Sequence, residues 1–396
     1  MKLMNAFLAG VMATALFASA TISGVATQVT DPASDPENFG PPEAMLFWTP
    51  EQKVAGFRNM DKIVWTRKIS ASDDPLPLKD APADLSDVQL RYNGAEMTIA
   101  AFLNSENVAG LLVIKDGAIA YEYYGLGNSQ DTPWLSFSVT KSIVSMLVGA
   151  AIQDGYIESV DEPITDYLPR LKGSAYDQAS IRDVLQMSSG VQWNEDYSDP
   201  KSDIAQADMS TLGIYRQLSE KPVMAQPGET FNYNTAETNL VGTMLRSAIG
   251  NNLSTYLAEK IWHPFGMEAD ANWMLSESGG GEIGGCCLSA TLRDYGRIGL
   301  FALNEGRLAD GTPVLPSGWM ADATAPSKGN GEYGYLWWLQ DGGRFRAQGI
   351  FGQDIFIDPE NQLVIALQSA REHADRSEDW ELQDVFYEAV TDVLKR

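Results

Sequence analysis

The sequence predicts an α+β fold: one antiparallel sheet built from both ends of the chain, with flanking helices and a helical lobe inserted between its halves. Three observations predict it. Two apolar-rich runs joined by Asp116-Gly117 make a β-hairpin over about 111–124. Four strand-like runs separated by Gly-rich and Asp-Pro-Glu-Asn turns form a meander over 333–369. Between them, about 156–330 carries helical apolar spacing interrupted by Gly/Pro-rich loops. The chain has 396 residues and 44% apolar composition, enough for a large core shared by two lobes.

The elements follow in order. Residues 1–20 place one Lys before an apolar run from Ala6 to Ala20, ending in Ala18-Ser19-Ala20. This is the pattern of a signal peptide, too short to span a bilayer, cleaved after Ala20 or Ala26. The expected location is the bacterial periplasm or the exterior, with no stable membrane insertion after cleavage. Residues 21–90 read as an extended lead-in, rich in Pro, Asp and Ser as far as Pro82, with an aromatic knot at Phe47-Trp48. The remainder, 91–396, forms one larger domain and begins with the hairpin. Residues 138–154 are apolar nearly all round, the mark of a buried helix, and Gly155 is placed to end it. Helices are expected at 180–187, 213–218, 236–249, 253–261 and 291–304. Strands are expected at 333–340, 344–348, 353–357 and 363–369, and an amphipathic helix over 380–395.

Charge and composition exclude several functions. There are 53 acidic residues against 28 basic ones, a formal charge of −25, which argues against nucleic acid as a partner. Two His (His263, His373) and two Cys (Cys286, Cys287) offer no metal-ligand set. No metal or other cofactor is expected. The adjacent cysteines read as two small buried thiols, with a vicinal disulfide as the alternative outside the cytoplasm.

The chemistry gathers at three places. Ser138-Val-Thr-Lys141 opens the buried helix after the aromatic approach Trp134-Leu-Ser-Phe137. Residues three apart share one helix face, so the Ser138 hydroxyl can meet the Lys141 amine. Burial lowers a lysine pKa and lets it accept a proton. A second Ser-x-x-Lys, Ser198 to Lys201, is polar and broken by Pro, so it reads as a solvated loop. Tyr233, in Phe231-Asn-Tyr-Asn-Thr235 at the start of a helix, can bring a phenol to the Ser-Lys pair. Gly349 on the meander lets a substrate approach the backbone, and the N–H of Ile350 with that of Ser138 would form an oxyanion hole.

In this order the three pieces resemble the penicillin-recognising serine hydrolases of the class C β-lactamase superfamily, over about residues 100–390. Asp183 to Gly190 and Ala290 to Gly296 are similar to that family as well. Ser138 to Lys141, Glu195-Asp-Tyr197-Ser-Asp-Pro200 and Gln348 to Gln353 are most similar to its 6-aminohexanoate-oligomer hydrolase and esterase branch. The resemblance implies a β-lactamase/transpeptidase-like fold, Ser138 as nucleophile, Lys141 as its base, Tyr233 as proton shuttle and Tyr197 as a residue covering the substrate. Two positions depart from the family pattern. Thr235 stands where Asn ends the second motif, and Ala347 stands where Lys or His begins the third. Arg346 is adjacent, but strand alternation sends it to the opposite face.

The expected function is hydrolysis of a small ester or amide through an acyl-enzyme. A β-lactamase, a D-alanyl-D-alanine carboxypeptidase and a non-catalytic binder of cell-wall fragments are the alternatives. The acids Glu195, Asp196, Asp199, Asp203 and Asp208 favour a substrate with a free ammonium group. Asp208 is the expected contact, with Trp193 and Tyr197 around an aliphatic chain.

Overall fold

In the computed structural model, which describes residues 36–85 and 88–395, much of the segment expected to be an extended lead-in is regularly folded. Thr49 and Gln52 form a reciprocal capping box with Pro50 at the first helical position, starting α1 (Pro50–Phe57). Proline begins a helix here, because the N–H it lacks needs no partner at that position. Then come α2 (Met60–Ile63), β1 (Thr66–Ile69) and β2 (Lys79–Asp80). The expected signal peptide lies outside the described residues.

A small hairpin, β3 (Gln89–Tyr92) and β4 (Ala95–Thr98), leads through α3 (Ile99–Ser105) into the long hairpin of β5 (Val108–Lys115) and β6 (Ala118–Tyr124). Asp116 and Gly117 have φ of 51° and 77°, the two left-handed residues that a two-residue hairpin turn requires. After β7 (Trp134–Leu135) comes α4 (Val139–Gln153), buried along nearly its whole length as its composition predicts. Gly155, at φ 78°, follows its end.

The inserted lobe holds α5 (Ile164–Tyr167), α6 (Ile181–Leu185), α7 (Thr211–Ser219), α8 (Thr235–Ile249) and α9 (Leu253–Leu257). Two short strands, β8 (Ala271–Met274) and β9 (Leu288–Ala290), precede α10 (Leu292–Leu303). This helix lies on the sheet and not in the lobe. A Cβ on Gly296 or Gly299 would collide with Leu112 or Val364, so glycine sets how closely α10 packs. The chain ends with α11 (Trp319–Ala323), β10 (Trp338–Gln340), β11 (Arg344–Gly349), β12 (Gln353–Asp358), β13 (Leu363–Ser369) and α12 (Ser377–Leu394).

The main sheet has seven strands in the order β10-β11-β12-β13-β5-β6-β2. It is antiparallel except for the short β2–β6 edge. β13 pairs with β5, with Val364 opposite Ile114, so the two ends of the chain close one sheet as expected. Two features differ from expectation. A second, four-stranded sheet, β1-β8-β9-β7, forms from strands too short for alternation to reveal. Of the strand expected at 333–340, only Trp338–Gln340 is regular; Leu336, at φ 61°, turns the chain before it.

Strand alternation sorts side chains into two cores. Phe345 and Ala347 of β11 join the core formed with α4, α8 and α10. Leu111, Val113 and Phe356 join the core under α3 and α12. The first core, at the N-terminus of α4, supports the cleft.

Candidate active site

Ser138 stands at the N-cap of α4, immediately after Phe137, whose φ of 46° is an uncommon left-handed conformation for a bulky residue. The Ser138 hydroxyl makes no cap hydrogen bond. It accepts one from Lys141 Nζ at 2.8 Å. Lys141 is 1% exposed, and its amine also donates to Thr235 Oγ1 at 3.0 Å and to the Gly285 carbonyl at 2.7 Å. Burial pulls its pKa down to about 7, against the opposing pull of the Glu195 charge. A neutral amine in this position keeps two N–H groups for Thr235 and Gly285 and turns its lone pair toward the Ser138 hydroxyl. The spacing therefore produces a buried base in hydrogen-bond contact with a free hydroxyl.

Tyr233 precedes α8, where the Asn234 side chain caps the helix by accepting from the Glu237 N–H. Its ring centroid is 5.2 Å from Lys141 Nζ. Burial pushes the phenol far up, and its hydrogen bond with Ser138 pulls it down. It is therefore a neutral proton donor facing the Ser-Lys pair. The ring stacks on Trp338 at 5.8 Å and meets Tyr333 edge-on at 6.1 Å, which fixes its orientation.

Glu195 is the residue that sequence reasoning did not separate from its acidic neighbours. It accepts from Thr235 N–H at 3.1 Å, from Tyr197 OH at 2.7 Å, and from the Thr235 hydroxyl and the Trp193 indole. Thr235 thus bridges Lys141 to a carboxylate. The signal was a motif position with an altered residue, whose partner lies forty positions earlier and could not be inferred from spacing.

Gly349 carries β11 against the segment that leads to Ser138: a Cβ there would lie 2.5 Å from the Ser136 carbonyl oxygen. The next residue is Ile350. Among the described residues, neither the Ser138 nor the Ile350 N–H donates to a backbone carbonyl.

Tyr197, Tyr233, Gln348, Gly349 and Ile350 line a cleft of about 840 Å³, together with the aromatic Trp338 and Trp380. The other expected residues lie elsewhere. Trp193 is 5% exposed and sits behind Glu195, outside the cleft lining. Asp208 is also outside it; the carboxylate accepts from Ser210 N–H and Oγ at the start of α7 and faces solvent. Its local loop geometry, and not the substrate, accounts for its position. Ser198 is exposed and bonds Asp196, so the second Ser-x-x-Lys is a solvated loop. Ala347 is buried in the core, and Arg346, on the other face of β11, reaches the cleft wall but pairs there with Asp384 of α12 at 2.5 Å. His263 faces the Ser70 carbonyl. Cys286 and Cys287, expected as separate thiols, are joined in a vicinal disulfide. It immediately follows Gly285, whose carbonyl holds Lys141.

Comparison with known proteins adds four findings. The family model described as Beta-lactamase matches residues 97–388. A 6-aminohexanoate-dimer hydrolase of Paenarthrobacter ureafaciens is 30% identical over 284 residues, 65% of this chain and 71% of that protein. Among solved structures, a Bacillus anthracis protein described as a candidate 6-aminohexanoate-dimer hydrolase superposes with a TM-score of 0.79 at 22% identity, over 87% of this chain and 95% of its own. A family VIII carboxylesterase superposes with a TM-score of 0.57 at 17% identity, over 73% and 95%. These two likenesses bear on the fold.

Proposed function

The chain belongs to the beta-lactamase family and is a serine hydrolase; from that premise we propose that it cleaves small esters or amides through an acyl-enzyme on Ser138. The observation that carries this reading is the Lys141 amine, buried and 2.8 Å from the Ser138 hydroxyl. Lys141 takes the hydroxyl proton as Ser138 Oγ attacks the substrate carbonyl carbon. The carbonyl π electrons move to oxygen, and the oxyanion is held by the Ser138 and Ile350 N–H groups. As the adduct collapses, the departing oxygen or nitrogen takes the Tyr233 phenol proton and leaves as a neutral alcohol or amine. Lys141 ammonium then returns a proton to Tyr233. Water attacks the acyl carbon by the reverse route, losing its proton to the same pair, and Ser138 is released.

The cleft favours a substrate that is not anionic. Glu332, Asp341 and Asp375 are among its lining acids, and its two basic residues are Arg344 and Arg346. Arg346 is already paired. An ammonium-bearing amide or ester of aminohexanoate size fits this charge and the aromatic walls. Export is supported by the pattern of residues 1–20.

The test is covalent labelling of purified protein with a fluorophosphonate, followed by a panel of p-nitrophenyl esters, aminohexanoate dimer and its N-acetyl form. Wild type and Ser198→Ala should label and turn over; Ser138→Ala should do neither. Labelling of Ser138→Ala at the wild-type level refutes the mechanism. An equal preference for the amine and N-acetyl substrates at low salt refutes the charge argument.

A further inference from the structure

We propose that α1 is a clamp for the oxyanion hole, with Phe57 and Lys53 as positioning residues that hold the Ser138 and Ile350 amides in register. The inference rests on the role proposed above for those two amides. The helix precedes residue 97, where the family match begins, so it adds to the matched fold.

Phe137 and Phe351 are the chain neighbours of Ser138 and Ile350, each next to one of the two proposed donors. Phe57, at the end of α1, fills the space between them. Its ring lies 5.0 Å from Phe137, nearly edge-on, and 5.6 Å from Phe351; Phe137 and Phe351 are 5.1 Å apart. The three rings close a triangle in which moving any one displaces the others. Phe137 is also the residue held at φ 46°, a conformation that persists only where packing enforces it.

Lys53, one turn earlier on the same helix, secures the other side. Its amine donates to the Arg371 carbonyl at 3.1 Å and to the Glu372 carbonyl at 2.6 Å, and lies 4.3 Å from the Phe351 ring centroid. The segment it grips holds the Ile350 turn by two backbone bonds. Arg371 N–H donates to the Phe351 carbonyl at 3.2 Å, and Asp375 N–H to the Ile350 carbonyl at 3.0 Å. The helix therefore reaches both donors, one through packed rings and one through a short backbone ladder.

What fixes α1 is also visible. The Trp48 indole donates to the Pro41 carbonyl at 2.8 Å, and its ring occupies the space where a Cβ on Gly40 or Gly56 would fall. Trp48 lies 6.0 Å from Phe57. The aromatic knot noted in the lead-in is thus the anchor of the clamp.

The experiment compares wild type with Phe57→Ala, Phe57→Leu, Lys53→Met and a control, Phe102→Ala. Phe102 is equally buried, but in the core under α12. Active sites are counted by fluorophosphonate titration, and kcat and KM for p-nitrophenyl butyrate are expressed per titrated site, with melting temperature in parallel. Loss of a whole oxyanion donor costs roughly 100- to 1000-fold in kcat, so a displaced hole should cost about 10-fold or more. Phe57→Ala should lose that much kcat with KM changed less than about 3-fold, Phe57→Leu should recover much of it, and Lys53→Met should lose less than Phe57→Ala. Phe102→Ala should melt earlier but keep its kcat per site. If Phe57→Ala does not fold, Phe57→Leu and Lys53→Met carry the test. Variants that melt earlier while keeping wild-type kcat per site overturn the clamp. Absence of labelling in wild type overturns the acyl-enzyme reading instead.

Discussion

Replacing Glu195 with Gln removes one charge from the Lys141 environment while nearly keeping the shape of the side chain. The present carboxylate accepts four hydrogen bonds, two from N–H groups and two from hydroxyls. An amide can keep its oxygen toward the Trp193 and Thr235 N–H groups and turn its NH₂ toward the Tyr197 and Thr235 hydroxyls, which can accept. The perturbation is then mainly electrostatic. The Lys141 pKa of about 7 results from burial pulling down and the Glu195 charge pulling up. Taking the charges as roughly 5 Å apart through the Thr235 bridge, with an effective dielectric of about 20 to 40, their attraction is about 1.7–3.3 kcal/mol. That corresponds to about one to two pH units, and Glu195 is partly exposed, which favours the lower figure. Lys141 must be neutral to act as base, so turnover falls as pH drops through its pKa. In Glu195→Gln the acid limb of kcat/KM should move down by about one unit, with a lower plateau because the base is weaker. The assay is kcat/KM for p-nitrophenyl acetate over about pH 5 to 9. An acid limb that stays in place, or moves up, refutes the coupling.

Three further outcomes follow from the same geometry. Lys141→Arg keeps the charge but cannot deprotonate near neutrality, so fluorophosphonate labelling and ester turnover should fall about 100-fold or more; near-normal kcat would mean that Lys141 acts only as a cation. With Ala347 buried where the related motif has a cation, a carboxylate-bearing β-lactam lacks a charge-assisted contact worth about 1.5–3 kcal/mol. Nitrocefin kcat/KM should therefore lie well below that of p-nitrophenyl butyrate, and equality of the two refutes the argument. Glu237 is buried in the first turn of α8, and burial raises its pKa to about 8, against the lowering effect of hydrogen bonds from Ser189 and Tyr176. Its folded pKa is above its unfolded value, so the stability it contributes is complete below about pH 4.5 and is lost as pH rises through about 8. Glu237→Gln should flatten that decline, and melting curves at about pH 5 and pH 8.5 that show the same drop as wild type would refute it.

The features that were legible in the sequence are those whose partners are close along the chain. Ser138 and Lys141 share a helix face because three residues make most of a turn, and the apolar surroundings of that helix already imply a depressed amine. Asp116-Gly117 determines a hairpin because its two left-handed residues match the strand twist. Burial of α4 follows from its lack of a polar face. Tertiary structure decided the rest. Asp208 and Glu195 sit in one acidic stretch, and no local rule tells which of them turns inward. Only the meeting of that loop with Thr235 at the start of α8 selects Glu195. The short strands of the second sheet carry too few alternating positions to be seen before they pair. Lys53 reaches carbonyls 318 and 319 residues away, and Lys141 one 144 residues away. Spacing along a chain encodes which side chains share a face of one element, whereas the approach of two distant segments depends on how the whole core packs between them.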